Sequence, residues 1–123
     1  MATTKEIPRD TLAAIANELV RLKAQYYGRG PTEAKAFQND ETLLVVLKGG
    51  MTTVERTLLG AGEQDLVRAV RLKFQQAMGQ AFIDAVQRLA KVEVRTYMSQ
   101  VVFDPEYTYE LFVLGEDGPG PGS

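Results

Sequence analysis

The chain has 123 residues, 45% hydrophobic and 24% charged, with 14 basic against 16 acidic side chains and a formal net charge of −2. A single domain of this size buries roughly two-thirds of its surface and needs no metal or disulfide to fold. The balance of charge argues against a general nucleic-acid binder, which would carry a basic excess, and the lack of Cys and His removes disulfides, thiolate chemistry, the commonest general base and the commonest metal ligand.

The N-terminal Met-Ala-Thr-Thr-Lys-Glu has no apolar signal-peptide core, and the longest apolar run, 43–47, is far too short to span a bilayer. These features predict a cytoplasmic protein without direct membrane insertion. Residues 1–9 read as a flexible N-terminus. Asp10 is the expected N-cap of a first helix, with Pro8 just outside it. Apolar residues at Leu12, Ile15, Ala16, Leu19, Leu22 and Tyr26 give that helix its stripe, with Asn17, Glu18, Arg21 and Gln25 opposite. Gly28 supplies the left-handed residue after the helix, and Pro31 blocks a restart.

Two strands follow, 33–38 and 42–48, joined by a tight Asn39-Asp40 turn. The second is a continuous apolar run of the kind buried in mid-sheet. After Gly49-Gly50, Thr52 and Glu55 have capping-box spacing and open a short helix that stops at Gly60-Ala61-Gly62. A long helix is predicted over 63–90. Its apolar stripe is Val67, Val70, Phe74, Ala77, Met78, Ala81, Phe82, Ala85, Val86 and Leu89, with Arg68, Arg71, Gln75, Asp84, Arg88 and Lys91 on the wet side. Gly79 in mid-helix costs about 1 kcal/mol against Ala, which suggests close approach of another backbone. The final hairpin alternates along Val92, Val94, Thr96 and Met98, turns at Asp104-Pro105, and returns along Tyr107, Tyr109, Leu111 and Val113. Residues 10–115 thus form one domain, and 116–123 read as a disordered Gly/Pro tail.

The order helix–strand–strand occurs twice, and residues 14–22 align weakly with residues 81–89. A repeat, or two ordinary amphipathic helices, explains that equally well. With the repeat, the fold class is α+β: two layers, a four-stranded, mostly antiparallel sheet with helices on one face. The other face carries Tyr, Thr and Leu side chains, which predicts a homodimer.

Several groups are candidates for chemistry. Gly28-Arg29-Gly30-Pro31 is either an anion site made of backbone amides and a guanidinium or a helix cap with a solvated Arg29. Arg68 and Arg71, three apart, share a helix face that either receives an acidic partner or a phosphate or is simply solvated. Asp104, Glu106, Glu110, Glu116 and Asp117 match no calcium loop and read as charge flanking an exposed hairpin. Met51, Met78 and Met98 read as core filler. The tyrosines suit core and sheet packing better than base stacking. No catalytic residue, metal ligand or cofactor is expected. Ser99 lies in no nucleophile motif, and paired carboxylates are the only remaining acid–base route.

Tyr27-Gly28-Arg29-Gly30-Pro31, the strand 43–48, Gly49-Gly50-Met51-Thr52-x-x-Glu55-Arg56-x-Leu58, Val67-Arg68-x-Val70-Arg71 and Glu110-Leu111-Phe112-Val113-Leu114 together resemble the MpsC-type domain family, over about residues 10 to 115. That resemblance implies association with a sodium-linked, membrane-potential-generating system, near membrane proteins of the inorganic-carbon and cation transport type. It brings no catalytic residue. At the matching positions Gly28, Gly30 and Pro31 scaffold a loop, Thr52 and Glu55 cap a helix, and Arg29 and Arg56 are left without a structural job. The expected function is a non-enzymatic accessory or regulatory domain that docks on a membrane transport protein through Arg29, Arg56, Arg68 and Arg71. The alternatives are a small-anion or nucleotide sensor using the 28–31 loop with Arg56, and a carboxylate-based enzyme.

Overall fold

The computed structural model describes residues 4–117. Its elements are α1 (Arg9–Tyr27), β1 (Glu33–Asn39), β2 (Thr42–Lys48), α2 (Thr53–Gly60), α3 (Gln64–Ala90), β3 (Val92–Val102) and β4 (Tyr107–Asp117). All strand pairs are antiparallel, in the order β1-β2-β4-β3. The two hairpins therefore meet through their second strands, and each helix–hairpin half takes an equivalent place about the centre. The protein is an α+β domain of two layers, as the twice-repeated element order predicts.

The core lies between the sheet and the helices. Leu43, Val45, Leu47, Phe112 and Leu114 point inward from the central strands and pack against Ile15, Ala16 and Leu19 of α1 and Phe82, Ala85 and Val86 of α3. The apolar run of β2 sits mid-sheet but is buried on one side only. Leu43, Val45 and Leu47 are covered, while Leu44 and Val46 are half-exposed on the far face.

The local signals hold at the ends of several elements. Gly28 closes α1 with φ of 93°, and its amide donates to the Ala24 carbonyl. Thr52 and Glu55 form the reciprocal capping box of α2. Other expectations are corrected. α1 starts two residues earlier than an Asp10 cap requires, with Pro8 in the cap place and Asp10 inside the first turn. Residues 5–7 are tied down rather than loose. Ile7 is buried, its amide donates to Gln38 Oε1 at 2.7 Å, and Gln38 Nε2 donates to the Lys5 carbonyl at 2.9 Å. The first hairpin turns on Asp40 and Glu41, because Asn39 still pairs with Thr42. β4 runs on to Asp117. Residues 118–123 of the expected tail lie outside the described residues.

β3 breaks its simple alternation. Register shifts between Val92 and Val94 and between Val94 and Thr96 change the phase of the strand. Beyond them Tyr97 packs against the core, and Met98, expected as core filler, faces out at 59% exposure. Gly79 is approached by a side chain, not a backbone. A Cβ there would sit 3.1 Å from Cε2 of Tyr97. On α3, Val70 is exposed at 46% and Arg71 takes the buried place beside it, reversing the expected stripe.

Candidate functional site

Where α1 ends, α2 begins and α3 passes, a polar cluster replaces apolar packing. Lys23 follows Leu19 by one helical turn and so lies on the buried side of α1. Its Nζ donates to Thr108 Oγ1 of β4 at 3.3 Å. Tyr27, one turn further, donates its hydroxyl to Glu55 Oε2. Glu55 sits in the first turn of α2, where its Oε1 accepts from the Thr52 amide at 2.9 Å. Arg71 of α3 then grips the same carboxylate, Nε to Oε2 at 2.6 Å and Nη2 to Oε1 at 2.9 Å. Its guanidinium lies 4.7 Å over the Tyr27 ring.

The sheet contributes the second carboxylate. Glu110 faces inward from β4 at 1% exposure and accepts from the Tyr97 hydroxyl at 2.6 Å. The cluster thus holds two cations, Lys23 and Arg71, and two carboxylates, Glu55 and Glu110, all at most 4% exposed. Unpaired, any one of them would cost several kcal/mol to bury. Burial pulls the Lys23 pKa down to about 8, against the opposing pull of Glu110. Burial also pushes Glu55 up, but the bonds from Arg71, Tyr27 and the Thr52 amide outweigh it and hold the carboxyl below its ordinary value. Tyr27 and Tyr97 are both raised, by burial first and then by their carboxylate partners.

A cleft of about 180 Å³ lies beside the cluster, between α3 and β3, lined by Arg68, Arg71, Leu72, Gln75, Ser99, Gln100 and Val101. Arg68 is exposed, lies 4.8 Å over the Phe103 ring and reaches the Val101 carbonyl only at 3.5 Å. The Ser99 hydroxyl is sealed from solvent and, among the described residues, has no hydrogen-bond partner. A larger hollow of about 350 Å³ lies far from this cluster, between the N-terminal segment and the first hairpin. Its charged lining residues, Glu6 and Asp40, are both solvent-exposed.

The expected site residues do not assemble as one group. Arg29 is exposed on the α1–β1 loop and forms no ion pair among the described residues. Arg56 pairs with Glu106 of the β3–β4 turn at 2.9 Å, which gives it the structural partner it lacked in the sequence. Gly30 and Pro31 pack inward: a Cβ on Gly50 would meet Pro31 Cα at 3.1 Å, so the two Gly-containing motifs rest backbone on backbone. Arg71 is not on the wet side with Arg68. Glu110 is not hairpin surface charge.

Lys23, Tyr27, Glu55 and Glu110 were missing from the expected set as partners of one another. One signal was readable. Lys23 and Glu110 are charged residues in the buried phase of their elements, Glu110 alternating with Phe112 and Leu114. A charge in that phase requires a buried counterion. Which counterion it finds is a long-range fact that spacing does not carry.

A family model described as "Na+-translocating membrane potential-generating system (MpsC)" matches residues 9–116. No curated protein matches the chain, and no solved structure does. Three of the stretches that carry the resemblance, 27–31, 49–58 and 67–71, meet at Tyr27, Glu55 and Arg71.

Proposed function

The chain belongs to the MpsC family, and from that premise we propose that it is a non-enzymatic accessory domain that works by binding proteins: a second copy of itself, and a membrane transport partner of the system for which the family is named. The observation that supports this reading best is the uncovered face of the sheet. The register places Phe37, Leu44, Leu111 and Met98 side by side across all four strands, and the neighbouring rows add Val46, Tyr109 and Val113. No described helix packs on that side, and Phe37 and Met98 are both largely exposed. The paired part of the four strands covers roughly 19 by 23 Å, near 440 Å² in projection. The apolar row runs through the middle of this face, with Lys35, Gln100, Thr42 and Thr96 beside it, and an exposed apolar band with a polar border is the pattern of an interaction surface. A two-fold axis through such a sheet makes the patch self-complementary.

The transport partner would meet a different face. α2 and the N-terminal half of α3 expose Val54, Leu66, Val70 and Leu72, together with Arg56 and Arg68. Apolar anchors with an arginine rim suit an acidic protein surface. No described helix is long and apolar enough to cross a membrane, so contact with such a system runs through a protein surface in this reading. The alternatives draw less support. Glu55 and Glu110 are already committed to Arg71 and Tyr97, the two carboxylates that do line a hollow, Glu6 and Asp40, are both solvent-exposed, and Arg56 is committed to Glu106.

Light scattering on the purified protein tests the self-association. The wild type should run as a dimer and Leu111→Glu as a folded monomer with an unchanged circular dichroism spectrum. A monomeric wild type at about 100 μM would sink the dimer. Photocrosslinking in cells from position 70 tests the second surface: a membrane transport protein should be captured, and Arg68→Glu should abolish its capture.

A further inference from the structure

The geometry points to a small-oxyanion site in the α3–β3 cleft, built by Arg68, Gln75, Gln100 and the outer edge of Arg71. The ligand is a carboxylate or phosphate group on a small body. This goes beyond protein docking; it uses a different part of the molecule from the sheet face and shares Arg68 and Leu72 with the proposed partner surface.

Two observations carry it. First, the cleft is lined by donors with no acidic residue among them: two guanidiniums and two side-chain amides, with Leu72 and Val101 between. Two carboxylates lie close by and are both engaged: Glu55 is bonded to Arg71, and Glu110, which pairs with Ser99 across β3 and β4, accepts from Tyr97. Second, Arg68 is an uncompensated cation at the mouth. It stacks on Phe103 and touches a carbonyl at 3.5 Å, but no carboxylate among the described residues reaches it. Its planar fork is thereby oriented with donors to spare, the arrangement that takes a carboxylate or phosphate in two parallel bonds.

Arg71 lends the site rigidity. Glu55 takes its Nε and Nη2, which fixes the guanidinium plane against Tyr27 and leaves Nη1 outside those two bonds. The cleft volume of about 180 Å³ suits a phosphate ion or a short-chain carboxylate. The Gly28–Pro31 loop is not part of this site: Gly30 and Pro31 are packed against Gly50.

The test is a titration of the ¹⁵N-labelled full chain with inorganic phosphate and, separately, with acetate and butyrate, at constant ionic strength made up with chloride. Saturable amide shifts centred on Arg68, Gln75, Ser99 and Gln100 are expected for phosphate or for a carboxylate. Arg68→Gln, at an exposed position that should not disturb folding, should weaken that binding by about tenfold or more. Gln75→Leu should weaken it by a smaller factor. Shifts that grow linearly without saturating, shifts centred on the Arg29 loop, or saturable binding that Arg68→Gln leaves intact would each overturn the assignment. Failure here leaves the dimer result untouched; because Arg68 also serves the partner surface, saturable binding by the purified chain is the readout that belongs to this site alone, and a failed crosslink leaves it in place.

Discussion

Arg71 and Glu55 form a two-pronged ion pair, at 2.6 and 2.9 Å, with each side chain almost wholly removed from water. The pair joins α2 to α3, and Tyr27 brings in the end of α1. Removing one partner leaves the other charge buried without compensation, which costs roughly 3–5 kcal/mol. Arg71→Met and Glu55→Gln should each lower Tm by about 10–20 °C in a domain of this size. The double variant should lose less than the sum, because neither orphan charge remains. Arg56→Met is the contrast. Its pair with Glu106 is about half exposed, so the loss should stay under about 1 kcal/mol. Equal losses from Arg56→Met and Arg71→Met would refute the buried-pair account.

Lys23 makes stability depend on pH in an unusual direction. Its pKa falls from an ordinary 10.5 to about 8 on folding. Between those values the unfolded chain binds more protons than the folded one, so folding becomes more favourable as pH rises through that window. The full gain is about 3 kcal/mol. Tyr27 and Tyr97 act in the opposite sense. They hold their protons in the folded state while the unfolded chain loses them, so stability falls above about pH 10. Urea midpoints should therefore climb from pH 7.5 to a maximum near pH 9–10 and then drop. Lys23→Met should flatten the climb and keep the drop. A midpoint that does not rise above pH 8 in the wild type would show that Lys23 is not desolvated as described.

Local signals explain most of the fold and little of the cluster. Gly28, the Thr52–Glu55 box and the apolar phases of α1 and β2 follow from rules that act over one to four residues, and they placed the elements and the two-layer class. Arg71 escaped because Val70 stands next to it. One residue of helix phase separates the two, and an apolar residue is the natural choice for the core unless Glu55, sixteen positions earlier, is known to be buried opposite. Met98 and Tyr97 were exchanged for a similar reason. Two register shifts near the start of β3 move the phase, and nothing in the alternation of Val92, Val94 and Thr96 marks them. Glu110 was the most legible omission, since its phase matched Phe112 and Leu114. Its partner Tyr97 was hidden by the same shifts.

The contact between Gly79 and Tyr97 turns a helix rule into a discriminating experiment. In an open helix, Gly→Ala gains about 1 kcal/mol. Here the new methyl would stand 3.1 Å from Cε2 and 3.4 Å from Cδ2 of the Tyr97 ring. The ring has little room to yield. Its hydroxyl is bonded to Glu110 at 2.6 Å, its face lies 5.0 Å from the Phe112 centroid, and Phe82 meets it edge-on at 6.2 Å. Overpacking should therefore exceed the propensity gain, and Gly79→Ala should destabilise by about 1–3 kcal/mol. Gly60→Ala, where a Cβ meets nothing within 4 Å, should be neutral or stabilising. In a Tyr97→Leu background the flat ring is gone, and Gly79→Ala should recover most of its loss. Chemical denaturation of the wild type, the three single variants and the double variant decides the matter. If Gly79→Ala stabilises the wild type, the Tyr97 ring is not pinned by Glu110 and Phe112.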